Sequence, residues 1–116
     1  MMKNAAAGLA VLIVLASTVF GHALLLESTP ALNALVSGPE IAVQLRFNAR
    51  IDTARSRLSV VFPDRTVRPI VSIESTSADV LRGRINNLDK GAYRLRWQVL
   101  AFDGHIARGE IPFWVK

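Results

Sequence analysis

Apolar side chains alternate with polar or small ones at a period of two residues in several segments of this chain, and this pattern limits the folds that it can adopt. The segment Ile41–Phe47 shows it clearly, and the segment Tyr93–Ala101 repeats it over the longest stretch. Because successive side chains of a strand point to opposite faces of a sheet, this period predicts strands with one buried face. No 3.6-residue helical period follows residue 22, so the chain is expected to be all-β.

Further segments of the same kind predict the remaining strands, and turn-forming residues separate them. They are Leu24–Ser28, Leu58–Phe62, Thr66–Ser72 with an interruption at Pro69, Val80–Ile85 and Ile111–Val115. The stretch 31–39 is predicted to be a loop, and the stretch 50–55 a turn or a single helical turn. About seven short strands, with turn signals about every 8 to 12 residues, indicate one Ig-like antiparallel β-sandwich with Greek-key connections.

The first 21 residues differ in composition from everything that follows. Lys3 provides a positive charge, residues 5–20 are almost entirely apolar, and Gly21 is a small residue at a suitable cleavage point. This arrangement is typical of a signal peptide that is removed on export. It predicts a signal peptide over residues 1–21 and a single mature domain over residues 22–116.

Two other fates of this leader are consistent with the sequence. The stretch Ala5–Leu26 has no residue more polar than Ser or Thr except His22, and it is long enough to cross a bilayer as an uncleaved anchor. A cut after Ala23 would instead discard His22. The position of cleavage therefore decides whether His22 becomes the N-terminus of the mature protein.

The composition excludes several kinds of ligand and partner. The chain has no cysteine, and its two methionines, Met1 and Met2, leave with the leader. A transition metal would therefore be bound through nitrogen and oxygen, because soft ligands for a cuprous ion are missing. Lysine and arginine outnumber acidic residues 14 to 9. Many arginines alternate with apolar residues instead of clustering with exposed aromatics, so no nucleic-acid partner is expected, while attraction to anionic lipid headgroups stays open.

The chain has only two histidines, His22 directly after the predicted leader and His105 near the C-terminus. Asp103 precedes His105 by two residues, and side chains two apart in an extended segment project to the same side. As an N-terminal residue, His22 would offer both its amine and its imidazole to one ion. In a sandwich the beginning of the first strand can lie beside the loop before the last strand, so both regions are expected to share one site.

The resulting donor set is one amine, two imidazoles and one carboxylate. Three nitrogens and one oxygen in a near-planar arrangement favour the cupric ion, with nickel and zinc as competitors. Because the amine, whose pKa is ordinarily about 8, must lose its proton, metal binding is expected to weaken in acid. The alternative is that Asp103 and Gly104 only form a turn, that His105 caps this turn, and that His22 is incidental to the cleavage region.

Several short motifs occur in an order that matches a known family. They are His22 after the leader, Ser28-Thr29-Pro30, Leu45-x-Phe47, Gly91-x-Tyr93-Arg94-x-x-Trp97, and Asp103-Gly104-His105 followed by Gly109 and Phe113-x-Val115. In these motifs the chain resembles the CopC-type periplasmic copper-resistance proteins over essentially the whole mature domain. The resemblance implies a small Ig-like sandwich that carries cupric copper, Cu(II), on His22, Asp103 and His105.

Three features depart from the pattern of that family. Ile106 stands where the family usually has a proline, which leaves the loop less stiff. Asn48 and Ala49 follow Phe47, where an acidic residue is often found, so an outer ligand or a hydrogen-bond partner is expected to be lost. The methionine-rich cuprous site of some members is missing, which argues against exchange of copper between two sites.

The positions of four residues outside the proposed metal site also predict what they do. Trp97 is expected in the core because it lies on the apolar side of its strand, and Trp114 is expected on the exposed side. Glu27 and Glu110, both near strand ends, are candidates to orient an imidazole.

The expected function is that of an exported, non-catalytic copper(II)-binding protein. It would sequester or deliver copper in the periplasm as a monomer, and the resemblance implies a copper-transport partner in the inner membrane. One alternative is a copper oxidase, because the same brace of an amine and two imidazoles occurs in copper enzymes that oxidise polysaccharides. Another is a membrane-anchored Ig-like interaction module without a metal, which would keep its leader.

Overall fold

The structure, a computed structural model, describes residues 23–71, 73–75 and 77–116 of the chain. The predicted signal peptide over residues 1–21 lies outside this part of the chain, and so does His22. Within the described residues, no helix has the length and hydropathy needed to cross a membrane.

The described residues form eight β-strands, and neighbouring strands run antiparallel in every pair but one. The strands are β1 (Leu25–Thr29), β2 (Ala34–Val36), β3 (Ile41–Phe47), β4 (Arg57–Val61), β5 (Val67–Ile70), β6 (Val80–Ile85), β7 (Gly91–Leu100) and β8 (Ile106–Val115). One sheet has the order β1-β3-β6, and the other has the order β2-β8-β7-β4-β5, in which β2 is parallel to β8. A short 3-10 turn, Thr53–Arg55, lies between β3 and β4. The predicted Ig-like Greek-key β-sandwich is confirmed.

The core lies between the two sheets and is built from the faces that the alternation identified. Every second residue of the two central strands is buried: Ile41, Val43, Leu45 and Phe47 in β3, and Tyr93, Leu95, Trp97 and Val99 in β7. Phe47 meets Trp97 edge to face across the core, with ring centroids 5.2 Å apart. Burial of each large apolar side chain stabilises the fold by about 1.5 to 3 kcal/mol.

Tyr93 fixes the turn before β7. Its hydroxyl donates to the carbonyl of Asp89, 2.8 Å away, and its ring stacks on Phe113 with centroids 5.7 Å apart. Burial raises the pKa of the Tyr93 hydroxyl, because the phenolate would lose its water. A tyrosine that bonds back to the backbone just upstream is typical of Ig-like sandwiches, so this contact supports the same class of fold.

Two elements differ from the prediction. The stretch 31–39, predicted as a loop, contains β2, which pairs with the end of β8. Its three residues are too few to show an alternation, which is why the pattern missed it. β8 begins at Ile106 rather than at Ile111, because its first half pairs with β7 through the backbone. Gly109, in that first half, has no side chain that could mark a buried face.

Gly109 makes room for the buried indole of Trp97. The two residues are partners in the β7–β8 ladder, and Trp97 is only 8% exposed. A Cβ atom on Gly109 would come within 2.5 to 2.8 Å of three atoms of the Trp97 ring. The prediction that Trp97 belongs to the core is confirmed, and so is the exposure of Trp114.

The edge strands of both sheets are short or irregular. β5, at one edge of the larger sheet, contains Pro69 as predicted, and β2, at the other edge, has three residues. In the smaller sheet the register of β1 shifts between Leu25 and Glu27. Beside β6, Glu74 exchanges two backbone hydrogen bonds with Arg82. Regular extended backbone is therefore interrupted or covered at each edge.

Candidate metal centre

The loop between β7 and β8 brings Asp103 and His105 together. The backbone N–H of His105 donates to Oδ1 of Asp103 over 2.9 Å. The other carboxylate oxygen, Oδ2, lies 3.2 Å from Nδ1 of His105, and both side chains are partly exposed to solvent. The loop therefore presents one oxygen and one nitrogen atom side by side.

The separation of these two atoms suits neighbouring ligands of one metal ion. Ligand atoms about 2.0 to 2.1 Å from a metal are about 2.9 Å apart at a right angle and about 3.4 Å apart at the tetrahedral angle. The 3.2 Å between Oδ2 of Asp103 and Nδ1 of His105 falls between these values. The distance between the two atoms is therefore one that neighbouring ligands of a single ion would have.

A tight turn, and not an extended strand, brings this pair together. Ala101 accepts the N–H of Gly104 and donates its own N–H to the carbonyl of His105, each over 2.9 Å. Gly104 has a φ of +91°, a conformation that favours glycine. The bond from the Asp103 carboxylate to the N–H two residues later is typical of an Asx turn. The two side chains meet through this turn, and not through the same-side projection of an extended segment.

The start of β1 is fastened to the segment that follows β3. Oδ1 of Asn48 accepts the N–H of Leu24 over 2.7 Å, and the N–H of Asn48 donates to the carbonyl of Leu24 over 3.0 Å. Ala23, the first described residue, is buried in the core. Asn48 thus has a hydrogen-bonding role toward the N-terminal strand, while Ala49, two residues after Phe47, has no polar side chain.

The segment after β3 also contacts the loop that carries Asp103 and His105. The carbonyl of Arg50 accepts the N–H of Phe102 over 3.2 Å, and the guanidinium carbon of Arg50 lies 5.2 Å from the centroid of the Phe102 ring. Because Asn48 and Arg50 are two residues apart, their Cα atoms are at most about 7 Å apart. One short segment therefore holds both the start of β1 and the metal-site loop.

Of the three predicted metal ligands, Asp103 and His105 lie together, and His22 lies outside the described residues. Within residues 23–71, 73–75 and 77–116, no group of three or more His, Cys, Asp or Glu side chains is clustered to hold a metal. A site with three such ligands therefore needs a donor from outside these residues.

The two glutamates that were candidates to orient an imidazole are bound by arginines instead. Glu27 accepts from Nε of Arg46 over 3.1 Å, and this hydrogen bond lowers the pKa of the Glu27 carboxyl. Glu110 lies 2.9 Å from Nε of Arg96 and 3.3 Å from Nη1 of Arg94. Both carboxylates form ion pairs on the outer faces of the sheets. The suggestion that they orient an imidazole is therefore wrong.

Replacing Asn48 with alanine is expected to lower the free energy of unfolding by about 1 kcal/mol, because the N–H of Leu24 loses its side-chain acceptor. Thermal unfolding would measure this loss as a decrease of about 4 to 8 °C in the melting temperature. Asn86→Ala is a suitable control, since Arg68 bonds to the backbone carbonyl of Asn86, which the substitution keeps. Equal melting temperatures for Asn48→Ala and the parent would contradict the prediction.

The fold and the loop together define a class of protein, namely a small Ig-like sandwich that presents an Asp-x-His pair in the loop between its last two strands. Comparison with protein families makes the assignment specific. The CopC domain family matches residues 25–116 of this chain. The chain therefore belongs to the CopC family.

Individual relatives agree with this assignment. Copper resistance protein C of Xanthomonas campestris pv. juglandis is 29% identical over 108 residues, which cover 86% of this chain and 84% of that protein. The copper transport protein CutJ of Bacillus subtilis (strain 168) is 28% identical over 105 residues, which cover 88% of this chain but 19% of CutJ. The crystal structure of CopC from Methylosinus trichosporium OB3b matches with a TM-score of 0.73 and 26% identity, covering 82% of this chain and 94% of that one.

Proposed function

We propose that this protein is exported to the periplasm, where it binds copper(II) and sequesters or delivers it. The proposal divides the chain into a signal peptide over residues 1–21 and a mature domain over residues 22–116. The ligands are the amine and imidazole of His22 together with Asp103 and His105. The observation that carries the proposal is the Asp103–His105 pair, whose Oδ2 and Nδ1 atoms lie 3.2 Å apart.

The position of Leu24 supports His22 as the third contributor. Leu24 is tied through the segment 48–50 to Phe102, the residue before Asp103. His22 precedes Leu24 by two residues in the sequence, and one residue of chain spans at most about 3.8 Å, so only a short stretch of chain would separate it from an anchored position. A terminal histidine at that distance can turn both its amine and its imidazole toward one ion.

Copper(II) is the ion that this donor set favours. The amine, the two imidazoles and the carboxylate supply three nitrogens and one oxygen, and copper(II) binds such ligands most tightly among the common divalent metals. The proposed mature domain has no sulfur ligand for copper(I), because the chain lacks cysteine and its two methionines lie in the leader. The names of two relatives, a copper resistance protein and a copper transport protein, support copper as the cargo.

The bound ion is proposed to be cargo and not a catalytic centre. The Asp103 carboxylate would fill a coordination position that oxygen needs in an oxidase. Among the described residues, the exposed aromatic side chains are Phe102, which precedes β8, and Trp114, near the end of β8. Two such side chains at opposite ends of a strand do not form a broad platform for a polysaccharide. The copper-loaded protein with ascorbate is expected to produce no hydrogen peroxide above a metal-free control, and sustained turnover would contradict this part of the proposal.

The protein is proposed to act as a monomer and to exchange copper with a transport partner in the inner membrane. The region of CutJ that matches this chain is 19% of a protein named for copper transport, which supports such a link. Phe102 and Ile106 are exposed on either side of the Asp103–His105 pair and would give a partner an apolar surface to contact.

Copper titration of the exported protein tests the proposal. Intact mass shows first whether the chain begins at His22. Electron paramagnetic resonance of the copper form should then show nitrogen couplings from the amine and both imidazoles, and His105→Ala should lose one coupling and bind copper more weakly. Asp89→Asn is the control and should bind copper like the parent, because Asp89 lies just before the start of β7, at the end of that strand away from the metal site. A different N-terminus, or unchanged binding in His105→Ala, would contradict the proposal.

A further inference from the structure

The outer face of the larger sheet is strongly basic. Exposed arginines stand on it from three neighbouring strands: Arg57 of β4, Arg94 and Arg96 of β7, and Arg108 of β8. Arg57 and Arg108 are both ladder partners of Gln98, and a shallow groove of about 550 Å³ is lined in part by Arg57, Arg96 and Arg108. We name this surface, defined by the four arginines, the arginine face.

The arginine face carries much more positive than negative charge. Glu110 is its carboxylate; it accepts a hydrogen bond from Nε of Arg96 over 2.9 Å and forms an ion pair with Arg94 at 3.3 Å. Nε of Arg108 donates to the neutral amide oxygen of Gln98 over 2.8 Å. Neither Arg57 nor Arg108 forms an ion pair with another described residue. Four guanidinium groups against one carboxylate leave this face with a net charge of +3.

The outer face of the smaller sheet is balanced in comparison. Arg46 pairs with Glu27 at 3.1 Å, and Arg84 pairs with Glu40 at 3.5 Å. Arg82, on the same face, donates to a glutamine. The excess of positive charge therefore belongs mainly to one side of the sandwich.

Three exposed apolar side chains border the arginine face where β2 meets β8. Leu35 and Trp114 are ladder partners that are 61% and 52% exposed, and Leu32, just before β2, is 66% exposed. Trp114 and Arg94 line the same depression of the sheet surface. We name Leu32, Leu35 and Trp114 the apolar rim. The arginine face thus ends in an exposed indole and two exposed leucines.

We propose that the arginine face and the apolar rim dock on the surface of an anionic lipid bilayer. Guanidinium groups bind phosphate through paired hydrogen bonds, and basic residues are attracted by the negative potential of an anionic leaflet. An indole favours the headgroup region, where its ring meets an apolar layer and its N–H stays wet. The sheet spreads its arginines over three strands, so they reach several headgroups at once while the rim enters the interface beside them.

This docking is independent of the proposed copper site, because neither Asp103 nor His105 belongs to the two surfaces. An acidic protein could instead bind the same side of the sheet. Its carboxylates would pair with the guanidinium groups, but it would not offer an apolar layer for the exposed indole. The combination of positive charge and an interfacial aromatic side chain favours the lipid surface.

Tryptophan fluorescence tests the docking directly. The chain has two tryptophans, Trp97 in the core and Trp114 on the rim, so a change of emission on docking is expected to come from Trp114. Vesicles of equal parts phosphatidylglycerol and phosphatidylcholine should shift the emission of the exported protein to the blue, and vesicles of phosphatidylcholine alone should not. In Trp114→Phe the shift should disappear, while co-sedimentation with the anionic vesicles persists.

Charge variants separate the arginine face from the total charge of the protein. The double variant Arg57→Gln, Arg108→Gln should partition onto the anionic vesicles about thirtyfold more weakly at low salt. The double variant Arg82→Gln, Arg84→Gln removes the same charge from the opposite face and should lose much less. Equal losses in the two double variants would overturn the proposal. Failure of the parent to partition onto anionic vesicles would also overturn it and leave an acidic protein as the occupant of this face.

Discussion

Adding one alanine in front of His22 should nearly abolish tight binding of copper(II) by the processed protein. The extension turns the amine of His22 into an amide and moves the free amine one residue away, so the chelate ring of amine and imidazole is lost. Loss of an outer-shell partner typically weakens metal binding about 10- to 100-fold, and loss of a ligand itself should exceed this. Competition with a copper(II) chelator of known affinity measures the change.

Two further proteins make this result specific to the amine. An alanine added after Lys116 lengthens the chain equally and should leave the copper affinity unchanged. His22→Ala keeps a terminal amine but lacks the imidazole, so it should also bind much more weakly than the parent. The metal-free proteins should melt at similar temperatures, because the described domain from Ala23 onward is the same in all of them. An extended protein that binds copper as tightly as the parent would remove the amine from the proposed site, while the family assignment would stand.

Substituting alanine for Gly109 is expected to lower the free energy of unfolding by about 3 kcal/mol, and the melting temperature by about 12 to 24 °C. The added Cβ would lie within 2.5 to 2.8 Å of three atoms of the Trp97 ring. That ring is packed against Phe47 at a centroid distance of 5.2 Å, so it cannot move aside without disturbing the core. Urea and thermal denaturation followed by circular dichroism would measure the loss.

A matched glycine and a double variant test the cause of this destabilisation. Gly104 has no atom within 4 Å of its missing Cβ, so Gly104→Ala should cost only the strain of its positive φ, about 1 to 2 kcal/mol. In a Trp97→Leu background, Gly109→Ala should cost much less than in the parent, because the indole is gone. The same cost in both backgrounds would show that the clash with Trp97 is not the cause.

The alternation of side chains was sufficient to predict a strand wherever that strand buries one face along several residues. β3 and β6 have the bounds that the pattern predicts, Ile41–Phe47 and Val80–Ile85. It failed for β2, whose three residues are too short to show a period, and for the first half of β8. There the pairing with β7 defines the strand, and a ladder with a distant neighbour leaves no local pattern in the sequence.

The ligands of the proposed metal centre could be predicted from the types of residue in the sequence. The contacts that hold these residues in place could not. Asp103 and His105 are two residues apart, so their proximity could be predicted. Asn48 bonds to Leu24, 24 positions away, which depends on how β1 and β3 pair. One signal could have suggested a role for Asn48, because asparagine just after a strand commonly bonds to nearby backbone groups.

The broken edges of the two sheets affect how copies of this domain meet one another. A long straight edge strand offers unpaired N–H and C=O groups on which a strand of another molecule can add. Pro69 lacks an N–H, β2 is too short to guide an incoming chain, β1 slips in register, and the Glu74 segment already covers part of β6. Even at high concentration, this protein should therefore not aggregate by pairing the edge strands of neighbouring molecules.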